Sequence, residues 1–342
     1  NSQEPNGQGN NVVTVLNNDN FVVAYACGND STIWPSPEAH IEDVRAQMFD
    51  STGNKIGGEF TVNQYAEISS QNFPSITSMS DGGFVVVWSS HHQDGDQGGI
   101  FLRRFDSQGN PSSDEMQINQ ESSQNQTDPS VLELENGSIV VNWQCQVNDG
   151  DSYGLVSRII HSDNSMTDEF LVNTETQGKQ HLHNATALEN GHYVVVWKTE
   201  LADNLKGQIL DEMGGKVGTE FQINISSLGD WGNINWKHEP GITALSDGGF
   251  FVTWNSIKDG AFDVYGQFFE ENGEKRGSEF QVNDVTAGEQ NHPEAIEVDG
   301  GVLVAFTETR NGGFSNIVGK FAPNPNSVDA DSWIEGHDGD DD

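Results

Sequence analysis

One apolar run that ends in an aromatic residue recurs six times along the chain, and it predicts a repeated β architecture. Each run is a continuous stretch of mostly Val, Ile and Phe, as in strands that are buried on both faces. An Asn, Asp or Gly turn signal precedes nearly every run, as a tight hairpin requires. The runs are Phe21–Tyr25, Phe84–Trp88, Ile139–Trp143, Tyr193–Trp197, Phe250–Trp254 and Val302–Phe306.

Further strand patterns surround each run in a fixed order. An alternating strand such as Ile100–Phe105 follows a polar loop, and a shorter strand such as Ser75–Ser78 precedes the turn. A last strand has the formula Glu-Phe-x-Val-Asn or a close variant. It occurs five times, at Glu59–Asn63, Glu115–Asn119, Glu169–Asn173, Glu220–Asn224 and Glu279–Asn283. Four strands in about 50–60 residues match one propeller blade. We therefore predict an all-β protein, a six-bladed β-propeller of four-stranded antiparallel blades over residues 1–323, with an acidic tail over residues 324–342.

The three formulas together resemble a tandem propeller repeat of large secreted bacterial and protist proteins, which often lies next to calcium-binding or adhesin modules. The likeness covers about residues 1–323 and rests on Asp-Gly-Gly-Phe-Val-Val-Val-Trp, Gln-x-Phe-Asp and Glu-Phe-x-Val-Asn patterns in that order. The resemblance implies a propeller. It implies little about activity, because propellers serve as scaffolds, lectins and enzymes.

The net charge limits the partners that the chain can bind. Its 53 acidic and 15 basic residues leave a formal charge of −38, which excludes nucleic-acid backbones and disfavours anionic lipid surfaces. No apolar stretch approaches the ~20 residues of a membrane span. We expect an extracellular or cell-surface protein that binds no nucleic acid and does not insert into a membrane, and whose partners are protein subunits or glycans.

A polar side chain begins the innermost strand of each unit, 16 or 17 residues before the terminal aromatic residue. Such amides either hydrogen-bond between blades, as buried amides must, or bind a ligand at the mouth of the channel. These six residues are Gln8, Gln71, Gln126, Gln180, Lys237 and Gln290. Three tryptophans on inserted loops, Trp34, Trp231 and Trp236, are further candidates because exposed aromatic rings stack on sugars.

Paired carboxylates in two loops are candidate calcium ligands. Asp94 with Asp96, and Asp149 with Asp151, offer the oxygen ligands that Ca²⁺ prefers, although Asp-Gly is equally a turn former. Phe105 stands where an EF-hand would place its Glu after Asp94. We therefore expect no required cofactor and an optional calcium site.

Modification sites and thiols complete the candidate chemistry. Asn29 and Asn136 are glycosylation sequons in predicted turns, and they are the acceptors that we expect if the chain is secreted. Cys27 and Cys145 fall in non-adjacent units, too far apart for a disulfide. We predict two free, buried thiols.

No catalytic motif is recognisable in the chain. The nucleophile elbow, the P-loop, the zinc-protease helix and the sialidase Asp box are all missing. We therefore expect a non-catalytic extracellular scaffold or adhesion propeller, one form of which is a repeating subunit of a surface filament or matrix. The alternatives are a calcium- or carbohydrate-binding, lectin-like propeller and a glycoside-active enzyme that uses an unrecognised carboxylate pair.

The last strand formula is missing from the sixth unit, although Asn1 is in phase with the formula's terminal Asn. The sheet of this unit would therefore keep an open edge, which is a template for another strand. Two donors remain open. Trp333 and Ile334 of the tail could fold back to fill the vacancy, or a neighbouring subunit could add the strand and chain the propellers into a filament.

Overall fold

Antiparallel β-sheets make up the described part of the chain. The computed structural model describes residues 8–28, 42–65, 70–146, 150, 152–200, 204–225, 228, 240–258, 261–310 and 314–327. These residues form 23 strands in six sheets, and the prediction of an all-β, six-bladed β-propeller is confirmed. No helix in these ranges is long and apolar enough to cross a membrane.

The first compact unit comprises residues 1–181 and 212–214. It contains three sheets of four strands each, and in each sheet successive strands pair as neighbours. The first sheet contains β1 (Gln8–Val15), β2 (Phe21–Gly28), β3 (Glu42–Phe49) and β4 (Lys55–Thr61). The second contains β5 (Gln71–Ser78), β6 (Phe84–His91), β7 (Gly98–Phe105) and β8 (Met116–Gln117). The third contains β9 (Gln126–Glu133), β10 (Ile139–Gln146), β11 (Tyr153–Ile160) and β12 (Phe170–Leu171).

The second compact unit comprises residues 182–211 and 215–342. The fourth sheet contains β13 (Gln180–Ala187), which begins in the first unit, β14 (Tyr193–Thr199), β15 (Asn204–Leu210) and β16 (Lys216–Gln222). The fifth contains β17 (Gly241–Ala244), β18 (Phe250–Lys258), β19 (Ala261–Phe269) and β20 (Lys275–Gln281). The sixth contains three described strands, β21 (Glu289–Val298), β22 (Gly301–Arg310) and β23 (Phe314–Pro323).

The recurrent apolar runs form the buried second strand of each blade. In β6 every residue from Phe84 to Trp88 is fully buried, and Trp143 and Trp197 are at most 1% exposed. Neighbouring sheets share their core, since Val22 and Val44 of the first sheet cluster with Phe84 and Trp88 of the second. Burial of each such Val or Phe side chain contributes about 1.5–3 kcal/mol, so these runs supply much of the driving force for blade packing.

Glycine is required at the hairpin between β5 and β6. Gly82 has φ +92°, which L side chains rarely adopt. A Cβ on the next residue, Gly83, would lie 2.3 Å from the carbonyl oxygen of Phe105. The Asp-Gly-Gly signal therefore reflects one residue of special conformation and one of close backbone approach.

The terminal Asn of the last strand formula is buried and hydrogen-bonds the third strand of its own blade, and we call it the latch residue. In five blades its Oδ1 accepts the backbone N–H of a residue in the third strand, at 2.7–3.0 Å. The pairs are Asn63 with Val44, Asn119 with Ile100, Asn173 with Leu155, Asn224 with Leu205, and Asn283 with Val264. Because an unpaired buried N–H costs about 1–3 kcal/mol, each Asn fixes the end of its blade.

The Glu of the same formula connects consecutive blades. Glu115 Oε2 accepts the backbone N–H of Gln64 at 2.6 Å, directly after the Asn of the preceding blade. Glu279 Oε2 accepts the N–H of Ile225 at 2.5 Å in the same way. The first and last residues of the formula thus have separate, repeated structural roles.

Candidate functional site

The predicted ring of amides is buried wherever the structure describes its side chains. Gln71, Gln126, Gln180 and Gln290 are at most 1% exposed. Gln71 Oε1 accepts the indole N–H of Trp88 at 3.0 Å, and Gln126 Nε2 donates to the carbonyl oxygen of Ser123 at 2.8 Å. Gln180 Nε2 donates to the carbonyl oxygen of Gly178 at 2.7 Å. These three contacts satisfy the buried amides within their own blade or the loop that leads into it, and the binding of a ligand by the six residues stays a prediction. The side chains of Gln8 and Lys237 lie outside the described residues.

A different position on the same strands carries unusual backbone geometry. Two residues after the amide position, five innermost strands place a residue other than glycine at positive φ. These residues are Asn10, Phe73, Asp128, Leu182 and His292, with φ between 51° and 53°. The strand register is irregular at this place in β1, β5, β9 and β21, as at a β-bulge. Such strain costs about 1–3 kcal/mol per residue and concentrates at functional sites.

In the first unit, this position brings a carboxylate onto a bulge. Asp128 Oδ2 accepts a hydrogen bond from Nε2 of Gln144 at 2.9 Å, and Gln144 is buried. The amide fixes the orientation of the carboxylate. Asp128 itself is only half-buried and keeps access to solvent.

In the second unit, the corresponding bulge carries His292 and leads directly to Glu294. Glu294 Oε2 lies 3.5 Å from the point that a Cβ on Gly241 would occupy, so the carboxyl packs beside the start of β17. Its side chain is reached by solvent, yet the surrounding protein desolvates the carboxyl and raises its pKa. Desolvation also lowers the pKa of the His292 imidazole.

Glu294 thus combines exposure to solvent with a raised pKa. A carboxyl with a raised pKa holds its proton closer to neutral pH, as a general acid must. A neutral imidazole two residues away adds no positive charge that would reverse this effect. Desolvation also raises the pKa of Glu169, but that carboxylate accepts the backbone N–H groups of Gln120 and Glu121. Glu294 is therefore the candidate proton donor among the described residues, and sequence reasoning did not single it out.

The candidate calcium ligands of the second blade are engaged by the protein. Asp94 Oδ2 accepts from Nδ2 of Asn119 at 2.8 Å, and Asp96 Oδ2 accepts from the backbone N–H of Gln124 at 2.8 Å. Among the residues that the structure describes, no group of three or more His, Cys, Asp and Glu side chains could hold a metal ion. Asp149 and Asp151 lie outside the described residues, and a calcium site stays a prediction.

Of the remaining candidate residues, Asn136 and the two cysteines are described by the structure, and the others are not. Asn136 lies exposed in the turn before β10, where its Oδ1 accepts the N–H of Ser138 at 2.9 Å. Its glycosylation stays a prediction. Cys27 and Cys145 are buried and form no disulfide with each other, as predicted. The other candidates, Asn29, Trp34, Trp231, Trp236, Trp333 and Ile334, lie outside the described residues.

Comparison with known proteins supports the fold through structure alone. No protein-family model and no curated protein sequence matches the chain. A Dyadobacter fermentans protein of unknown function aligns with a TM-score of 0.61 at 13% identity, over 93% of this chain and 95% of that chain. The α-L-arabinofuranosidase Arb93A of Fusarium graminearum in complex with an iminosugar inhibitor aligns at 0.58 and 10% identity, over 92% of each chain. The Trypanosoma rangeli sialidase in complex with the inhibitor DANA aligns at 0.53 and 9% identity, over 92% of this chain and 55% of that chain. At these identities the likeness shows the fold alone.

The expectation of a non-catalytic scaffold or adhesion propeller is contradicted by these neighbours, and so is the expectation that the chain is not an enzyme. Structures that share the fold over nearly the whole chain include a glycoside hydrolase and a sialidase. The scaffold expectation came from the repeat resemblance, the acidity and the absence of a catalytic motif, and the expectation of no enzyme activity came from that absence. In a propeller, a missing contiguous motif is weak evidence against catalysis, because functional residues come from separate blades far apart in the sequence.

Proposed function

We propose that this chain is a glycoside-active enzyme in which Glu294 donates a proton to the departing sugar oxygen. One observation carries the proposal. Glu294 is a solvent-accessible carboxyl with a raised pKa beside a strained bulge of an innermost strand. The glycoside-acting structural neighbours support the choice of reaction.

The reaction needs a proton at the oxygen of the bond that breaks. Glu294 supplies this proton as the bond between the anomeric carbon and the oxygen lengthens, and the leaving sugar departs as an alcohol. A second carboxylate then stabilises the positive charge on the ring or activates water. Water adds to the anomeric carbon, and Glu294 is reprotonated before the next cycle.

The charge of the chain favours neutral substrates. At −38 the protein repels anionic ligands, which disfavours sialosides. A structure of the Fusarium enzyme contains arabinobiose, a neutral disaccharide. Neutral arabinosides are therefore the first substrates to test. The proposal includes action outside the cell, where polymeric glycans are accessible and where high acidity keeps a protein soluble.

Activity on two arabinosides with different leaving groups tests this proposal. The intact chain is incubated with arabinobiose and with 4-nitrophenyl α-L-arabinofuranoside. We expect Glu294→Gln to lower kcat on arabinobiose by about 10²-fold or more, the usual contribution of a general acid. The loss on the nitrophenyl glycoside should be much smaller, because nitrophenolate leaves without protonation.

Glu297→Gln is the matched control, because Glu297 lies on the same strand and its carboxylate accepts hydrogen bonds from Ser246 at 2.9–3.0 Å. This variant should keep the activity of the unmodified chain on both substrates. Equal losses on the two substrates in Glu294→Gln would remove the acid role from Glu294. Absence of turnover by the unmodified chain on a panel of neutral glycosides would refute the proposed activity itself.

A further inference from the structure

The outer edge of the sixth sheet exposes a position that is buried in every other blade. Ile317 of β23 is 83% exposed. Its counterparts in the third strands of the other five blades are at most 2% exposed, and each lies under a fourth strand. They are Val44, Ile100, Leu155, Leu205 and Val264. β23 has no outer neighbour among the described strands.

The third strand of each blade also carries a side-chain hydrogen-bond donor near this edge, except that the sixth blade has Lys320 there. In five blades the residue three positions after this apolar one donates to a carbonyl of the fourth strand, or of the segment leading into it, at 2.8–3.2 Å. The donors are Gln47, Arg103, Arg158, Gln208 and Gln267. In the sixth blade the position belongs to Lys320, which is about a third exposed and forms an ion pair with Asp284.

An apolar recess lies beside this edge. A cavity of about 230 Å³ is lined by Asp284, Val285, Phe306, Val318 and Lys320, among others. Asp284 directly follows the latch residue Asn283, as Gln64 follows Asn63. In the second blade, the fourth-strand Glu115 occupies the corresponding place and accepts the N–H of Gln64. The recess is therefore where a sixth copy of the fourth strand would insert.

We propose that residues 328–335 of this chain add to β23 as the fourth strand of the sixth blade. Trp333 lies 11 residues after Ala322, the residue of β23 that pairs with Val302. The equivalent distance to the fourth-strand aromatic or Met residue is 11 in four blades and 10 in the third. These pairs are Phe49 with Phe60, Phe105 with Met116, Ile160 with Phe170, Leu210 with Phe221, and Phe269 with Phe280.

A described turn directly after β23 reverses the chain, as the addition of an antiparallel fourth strand requires. The N–H of Ser327 donates to the carbonyl oxygen of Asn324 at 2.9 Å, which closes a turn directly after β23. A bond of the same type from Gly273 to Glu270, at 3.0 Å, closes the turn that leads from β19 into β20. That turn begins directly after Phe269, whereas the turn after β23 begins two residues after Ala322.

The tail copies the fourth strand incompletely, so its attachment is weaker than that of the other five. Ser332 stands at the position of the formula Glu, and Gly336 at that of the latch Asn. Trp333 stands at the position of the aromatic or Met residue, whereas Glu335 stands at that of the buried Val or Ile, which is Val62 in the first blade and Val282 in the fifth. The proposed strand would therefore depend on backbone pairing and on the side chain of Trp333, without the two polar latches and without the buried aliphatic residue of the other blades.

Hydrogen exchange of the backbone amides in β23 tests this proposal, and the test does not depend on any glycosidase activity. The full chain is compared with a deletion of residues 328–342, with Trp333→Ala, and with a control deletion of residues 337–342. We expect the longer deletion to speed amide exchange around Ile317 at least tenfold and to lower Tm. Trp333→Ala should give part of this effect, and the control deletion none. A synthetic peptide of residues 328–336 should restore protection to the truncated chain.

Two results would overturn the proposal. In the first, exchange around Ile317 is as fast in the full chain as in the truncated one. In the second, protection in the full chain rises with protein concentration together with a dimer in size-exclusion chromatography. The second result would assign the strand to another copy of the chain rather than to the molecule's own tail.

Discussion

At the scale of single residues, the property that would suit Glu294 to its proposed role as an acid also lowers stability. The protein raises the pKa of this carboxyl by desolvating its charged form. In the unfolded chain the carboxyl ionises at its ordinary pKa, so the folded state loses stability as pH rises from that value through the raised one. Below the ordinary pKa both states are protonated and the penalty vanishes.

Substitution of this carboxyl by an amide should therefore stabilise the fold in a pH-dependent way. We expect Glu294→Gln to have nearly the Tm of the unmodified chain near pH 4 and a higher Tm at pH 7, measured by calorimetry. Glu297→Gln should show no such gain. A gain of the same size at both pH values would mean that desolvation of the charge is not its cause.

The buried latch at Asn119 leads to a prediction of the opposite sign. Asn119 Oδ1 accepts the N–H of Ile100 at 2.8 Å, and Asn119 is 3% exposed. Asn119→Ala leaves that N–H buried and unpaired, so we expect a loss of about 1–3 kcal/mol in urea unfolding. Asn110→Ala, at an exposed turn of the same blade, should stay within about 0.5 kcal/mol. Equal losses in the two variants would argue against the latch.

At the scale of strands and turns, fourth-strand aromatic rings pack over turn glycines of the next blade. A Cβ on Gly214 would lie 2.4 Å from the ring of Phe170, and a Cβ on Gly273 would lie 3.0 Å from the ring of Phe221. Both glycines have φ +83°. The turn sequence thus serves both the hairpin and the interface between blades.

Two glycine substitutions separate the cost of backbone strain from the cost of overlap between a Cβ and the aromatic ring. Gly191 has φ +81° but open space around a Cβ, so Gly191→Ala tests backbone strain alone, at about 1 kcal/mol. Gly214→Ala adds the overlap with Phe170, and we expect a further loss of about 1–3 kcal/mol. Urea unfolding measures both variants. If they lose equal stability, the ring of Phe170 does not constrain the turn.

The sequence predicts these elements well because their signals are local. Apolar runs, turn glycines and the Glu-Phe-x-Val-Asn formula each occupy a few adjacent positions, and together they define the strands and their order. The bulges were missed because Phe73 and Leu182 are poor residues for positive φ, and the pairing of whole strands imposes that conformation on them. Glu294 was one of 53 acidic residues, and its raised pKa depends on packing that no local pattern encodes.

At the scale of the whole molecule, the net charge of −38 opposes folding through mutual repulsion. Salt reduces this repulsion, since the Debye length falls from about 30 Å at ~10 mM to about 3 Å at ~1 M ionic strength. We therefore expect Tm to rise as NaCl is increased over this range, measured by thermal unfolding. An unchanged Tm would mean that the acidic residues are spaced widely enough for their repulsion to be negligible.

The same measurement separates screening from specific binding at the candidate calcium ligands Asp94 and Asp96. Calcium and magnesium salts are compared at one ionic strength, so that screening is equal and only specific binding differs. Because Asn119 and Gln124 already donate to these carboxylates, we expect the two cations to raise Tm equally. A larger rise with calcium that disappears in Asp94→Asn with Asp96→Asn would establish the site instead. It would also show that the loop exchanges its internal hydrogen bonds for a bound ion.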